Sequence, residues 1–190
     1  MVWIRSEYAG EFAVLAAWVS ALIPWSVSFA SQGGISLVVL RFPLVMVQFL
    51  LGARIGGGEQ PVLPVWSAYG FPASEGVAQA YLVWLGGAVV FGLALLLSVV
   101  YYAMDDRLEA RLPVDPVRLM GGLLLLTALV LTVSTAMLWG SYFGGSVPVG
   151  IVFLYAFGYL LLRVERKEDA TAALERAPSV AEDRPRATEE

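Results

Sequence analysis

Charge is absent from four long blocks of this chain, and in each block the apolar residues run on rather than forming a helical stripe. The clearest is 119–139, LMGGLLLLTALVLTVSTAMLW. At about 1.5 Å per residue it reaches roughly 30 Å, the thickness of a bilayer's hydrocarbon core. Asp115 is placed to cap its start, and Pro116 takes the first helical position, where a missing N–H costs nothing. Residues 119–162 carry no charge; GSYFGGSV at 140–147 divides them, and Pro148 opens a last span over 148–164. The pair is predicted to form a tight helical hairpin. Upstream, 29 uncharged residues separate Glu75 from Asp105. They predict a tilted or protruding span over about 78–102, with Ser74 and Glu75 at its start and Tyr101 and Tyr102 at its inner boundary. The first block, 12–30, is predicted to be a retained span. A signal peptide wants a positive lead and a shorter apolar region, whereas Glu7 and Glu11 flank this one and Arg5 is the only base before it. Ala13, Ala17 and Ala21 repeat every four residues, and Ala80, Gly87 and Ala94 every seven, giving smooth faces for neighbouring helices.

Residues 35–53 break the pattern, because they are long enough to cross but contain Arg41, Pro43 and Gln48. Their Leu, Ile, Phe and Val side chains favour insertion by about 4–7 kcal/mol, and a central Arg costs about 3 before Pro and Gln are counted. With the sum near zero, the segment is predicted to be an interfacial or re-entrant element after a Gly-Gly turn. As a helix it would be a fifth span, with Arg41, Val45, Gln48 and Gly52 on one side. Residues 54–77 read as a loop broken by Gly56–Gly58, Pro61, Pro64 and Pro72, lying on the membrane surface through Trp66, Tyr69 and Phe71. Residues 105–118 read as a short charged loop. After Arg163 the chain turns charged and Ala-rich, so 1–164 is predicted as a membrane domain and 165–190 as a tail too polar to fold alone.

The expected architecture is therefore all-α: four transmembrane helices, five if 35–53 crosses, with an irregular outer segment between the first two. Arg107, Arg111, Arg118, Arg163, Arg166, Lys167 and Arg176 fall on one side against Arg41 and Arg54 on the other, which makes the C-terminal side cytoplasmic. With four spans the N-terminus joins it.

Composition agrees with that division. The 190 residues are 58% hydrophobic and 15% charged, well under the quarter typical of soluble chains. Cysteine and histidine are missing, which removes disulfides, thiol chemistry, most zinc sites and the usual general base. Lys167 is the only lysine, and acids outnumber bases by four. That balance suits a GC-rich, salt-adapted organism, although codon bias alone would produce it. No basic patch suggests nucleic acid.

Candidate chemistry is sparse. Every Asp and Glu lies outside the four apolar blocks, so no acidic proton or cation path and no intramembrane aspartate pair is present. Neither a nucleophile–base pair nor a phosphate-binding glycine pattern appears, and no cofactor or metal is expected. Ser98, Thr127, Ser134 and Thr135 read as helix–helix bonding or back-bonding groups, or less simply as a polar lining. Arg41, with Gln48, is the one candidate for contact with an anionic headgroup or ligand; the competing reading has it snorkel to the outer interface.

The opening WIRSEYAGE, Pro24-Trp25-Ser26-Val27, Arg41-Phe42-Pro43, Val114-Asp115-Pro116-Val117-Arg118 and Leu162-Arg163-Val164-Glu165 together resemble a family of small, uncharacterised haloarchaeal multi-pass membrane proteins. The resemblance covers the chain to about Glu165. It implies a haloarchaeal cell membrane and brings no activity or site residue. The expected function is a non-enzymatic accessory or structural component of a membrane assembly, held by the lipid bilayer and by a membrane-protein partner or self-association. The alternative is a small transporter or channel component with Arg41 and Gln48 near an outer polar site. A membrane enzyme comes last.

Overall fold

The computed structural model describes residues 8–52, 62–68, 74–111, 114–141 and 145–163. In chain order its elements are α1 (Ala9–Leu22), β1 (Ser26–Gln32), β2 (Ile35–Arg41), β3 (Val45–Leu51), β4 (Val62–Pro64), α2 (Val65–Ala68), α3 (Glu75–Arg111), α4 (Pro116–Ser141), β5 (Gly145–Val147) and α5 (Ile151–Arg163). The strands form one antiparallel sheet in the order β4-β3-β2-β1-β5. The fold is α+β, which overturns the all-α expectation. Within 35–53 the alternative of a fifth helical span is overturned: Ile35–Arg41 and Val45–Leu51 are the paired strands β2 and β3 of an antiparallel hairpin. The first apolar block is split, its helix ending at Leu22 and its remainder entering β1. Part of the expected 54–77 loop is β4 and α2, and the expected outer turn of the last hairpin contributes β5.

The physical reason is local. Ser26-Val27-Ser28-Phe29 alternates polar and apolar, the period of a strand. Val- and Leu-rich runs follow on β2 and β3, where β-branched side chains fit a pleated surface. Gly33 and Gly34 have φ of 60° and 83° and close a two-residue hairpin between Gln32 and Ile35, a backbone shape that other residues adopt only with strain. A second tight turn holds β2 to β3, with Phe42 N–H donating to Val45 O at 2.8 Å.

Four helices stand antiparallel in sequence. Ser134 Oγ on late α4 donates to Ala80 O on early α3, and Gly121 on early α4 touches Gly158 and Leu161 on late α5. Gly10 on α1 lies against Tyr101 on α3. The sheet therefore sits at the end reached by the C-termini of α1 and α4 and the N-termini of α3 and α5. Helix α4 begins as expected: Asp115 Oδ1 accepts from Val117 N–H at 2.9 Å, satisfying a donor that has no intrahelical partner. Helix α3 runs into the expected charged loop of 105–118, as far as Arg111, with a break at Met104 (φ −146°, ψ 46°). Ala13 and Ala17 are fully buried, as are Ala80 and Ala94.

Among the described residues only α3, over 75–104, and α4, over 116–139, are long and apolar enough to cross a membrane, not the four helices expected. Helices α1 and α5, of 14 and 13 residues, reach only about 20 Å. Across the sheet, register decides which side chains share a face. Ser26, Ser28, Val39, Arg41, Met46 and Ser146 point inward and are buried, while their strand neighbours point out.

Candidate functional site

A single polar knot lies where the inner face of the sheet meets α3. Arg41 is the last residue of β2, and register puts it between Ser26 on β1 and Met46 on β3. Its relative exposure is 0%, so the expected snorkel to the outer surface does not occur. A guanidinium held away from water needs hydrogen-bond acceptors, since a buried charge without them costs many kcal/mol. Arg41 Nη1 donates to Ser28 Oγ at 2.6 Å and Nη2 donates to Tyr81 Oη at 3.2 Å. The same guanidinium carbon stands 5.5 Å from the centroid of the Tyr81 ring, within cation–π range.

Each acceptor is itself held. Ser28 Oγ donates a hydrogen bond to Ser146 Oγ at 3.0 Å, and Ser146 shares a 2.9 Å hydroxyl contact with Ser26. Tyr81 Oη donates to Met46 Sδ at 3.6 Å. Two indoles complete the surround. Trp84 Nε1 donates to Pro43 O at 3.0 Å and Trp25 Nε1 to Phe42 O at 3.2 Å, pinning the β2–β3 turn from two elements. Trp84 also packs against Trp25 and Tyr81, with ring centroids 5.9 and 5.7 Å apart. Three strands, one tight turn and α3 therefore meet on one cation.

Gln48 shares the inner face but not the knot. It pairs with Val39, two register positions from Arg41 and Met46, and is half-buried. The helical grouping of Arg41 with Val45 fails, because strand parity sends Val45 outward. The residues that reasoning from sequence missed are Ser26, Ser28, Tyr81, Trp84 and Ser146. For the serines the signal was present in the period-two spacing of Ser26 and Ser28; nothing local marks Tyr81 or Ser146.

The chemistry this arrangement supports is positional. Hydroxyls, a thioether and a cation give no nucleophile with a base beside it. Among the described residues no group of three or more His, Cys, Asp or Glu is placed to hold a metal. Four further hydroxyls within the long helices are spent on backbone. Thr127 and Thr135 donate to the carbonyls of Leu123 and Leu131, Ser98 to that of Leu95, and Ser134 crosses from α4 to α3.

No curated protein matches the chain. A family model does, over residues 2–166, nearly the whole of the described structure. The chain thus belongs to DUF7549, a family of unknown function.

Proposed function

We propose that this chain is an integral membrane protein with a non-enzymatic, accessory or structural role, in which α3 and α4 span the bilayer and the sheet caps the outer side. The observation that carries this reading is the low burial of the two long helices. In their most apolar 18-residue windows only 33% of α3 and 44% of α4 is buried within the protein. A core helix of a water-soluble domain can be apolar all round because other elements cover it. Here Leu82, Val89, Leu93, Leu96, Leu126, Leu129 and Val133 are exposed instead. Leaving that wall in water forgoes about 1.5–3 kcal/mol for each large side chain, while lipid tails cover it without loss.

Spacing along α4 supports the same frame. From Arg118 to Trp139 is roughly 30 Å of helix, a hydrocarbon thickness. Trp139 and Trp66 are exposed toward the sheet end, and Tyr102 and Tyr159 toward the other, as in two interfacial belts. Arg118 and Arg163 lie at the end away from the sheet, which favours that end as cytoplasmic. The acidic, lysine-poor composition suits a salt-adapted organism. A transport role built on Arg41 would ask for a water path to a residue with no exposure.

The test is partition. Membranes holding the protein are washed with alkaline carbonate and then extracted with detergent; the chain is expected in the pellet until detergent is added. Release of folded protein into plain buffer would sink the reading. A reporter fused in the connection between α3 and α4 should report a cytoplasmic location.

A further inference from the structure

The sheet has a second, largely apolar face, and none of the described elements packs over it. Opposite the Arg41 side, register lines up Val27 and Phe29 on β1, Val38 and Leu40 on β2, and Val47, Phe49 and Leu51 on β3, with Val62 and Val147 at the edges. Five of these, Phe29, Phe49, Leu51, Val62 and Val147, are among the exposed large hydrophobics. An antiparallel sheet with one solvated face normally alternates apolar inside with polar outside. This one keeps a polar knot inside and turns a largely apolar row outward, and that row carries no charged side chain.

We infer that this outer face is the contact between two copies of the chain, sheet against sheet about a two-fold axis. Three arguments select that occupant. The first is depth, and it rests on the membrane reading above. Arg41 is tied to Tyr81 on α3, and the neighbouring Ala80 is bonded to Ser134. Ser134 lies 16 residues beyond Arg118, or roughly 24 Å along α4. The sheet thus starts near the outer edge of a hydrocarbon layer about 30 Å thick and continues outward, where acyl chains cannot cover it.

The second argument is area. Three strands of seven residues and two of three, at about 3.3 Å per residue and about 4.8 Å per strand, give a face of roughly 430 Å² in projection. That is at the scale at which exposed apolar patches mark interaction sites. A pair of such faces, whose side-chain relief adds to the projected area, reaches the bound of about 1,000 Å² for a specific interface. The third is chemistry. A partner of different chemistry would be selected by charge or hydrogen bonding; this face carries no charge, and its hydroxyls, Ser31 and Ser36 at the hairpin end, already bond each other at 3.2 Å, whereas an apolar pleated surface is complementary to itself and stacks at about 10 Å.

The chain has no cysteine, so one introduced thiol reports alone. In native membranes Val38→Cys, at the centre of the face, should be joined by a short bismaleimide into a species of twice the chain mass. Trp66→Cys, exposed but off the face, should stay single. In detergent, Val38→Asp should raise the dimer dissociation constant by at least about tenfold, because an unpaired charge would be trapped between the sheets, and Val38→Ile should leave it unchanged. Phe49→Ser, at an exposed position whose change does not touch the core, repeats the test if Val38→Asp misfolds. A Val38→Cys protein that takes the reagent yet remains single, or that joins a product of any other mass, overturns the inference. A carbonate wash of the same membranes separates the two failures: a retained but unpaired chain refutes only the dimer, and a released chain refutes the membrane reading.

Discussion

The knot around Arg41 predicts an unusual order of mutant stabilities. Ser28→Ala removes the acceptor of the 2.6 Å bond from Arg41 Nη1 and also the donor to Ser146. A hydrogen bond to a charged group is worth about 1.5–3 kcal/mol, and leaving a buried cation short of an acceptor reaches the upper part of that range. Arg41→Met takes away the cation with its desolvation cost and fills much the same volume. Ser28 keeps Ser146 as a partner and Tyr81 keeps Met46, so the loss is about 0–2 kcal/mol, within the range seen when buried ionic groups are replaced by apolar ones. The double variant then has no stranded charge. It should be more stable than Ser28→Ala alone by about 1–2 kcal/mol, a coupling of the kind measured between residues of one hydrogen-bond network. Reversible unfolding in mixed micelles, followed by far-ultraviolet circular dichroism, measures all four corners of this cycle. The reasoning is refuted if Arg41→Met proves the most damaging single change and the double variant recovers nothing; Arg41 would then be needed as a charge and not as a structural donor.

Two further predictions concern the helical layer. A Cβ at Gly158 would stand 2.7 Å from Leu125 Cγ and one at Gly122 would meet nothing within 4 Å, so Gly158→Leu should destabilise by about 1–3 kcal/mol through overpacking while Gly122→Ala should be neutral or stabilise by up to about 1 kcal/mol through helix propensity, as read from thermal melts in detergent. Asp115→Ala should cost about 1 kcal/mol by the same melts, and Asp115→Asn, which keeps the side-chain oxygen that accepts from Val117, should recover most of it.

The two long helices were legible because nothing competes with an uncharged run of more than twenty residues. Their expected bounds of 78–102 and 119–139 fall inside the observed 75–104 and 116–139, and Asp115 caps where expected. The sheet was illegible for a physical reason. A window of apolar residues does not distinguish a lipid-facing helix from strands whose two faces are both apolar, and β2 and β3 are of that kind. The 12–30 block merged a helix ending at Leu22 with a strand starting at Ser26. The cues that separated them were small ones: Pro24, the alternating serines, and a Gly33-Gly34 pair of hairpin length. Arg41 was singled out from the sequence as a residue that must be explained, and its neighbours were drawn with a helical period that β2 and β3 do not have. Tyr81 and Ser146 reach it from 40 and 105 positions farther on, and that proximity is created only by folding.

The last strand has a temporal consequence. β5 supplies Ser146, which bonds residues some 120 positions earlier. At ribosomal rates of about 5–20 residues per second, the flank of β1 stands bare for about 6–23 s after its own synthesis. Until Val147 emerges, Ser28 has no Ser146 to accept its hydrogen bond. The final strand is a latch that arrives late, and a nascent chain stalled before it would expose an unzipped border ready to pair with a neighbour.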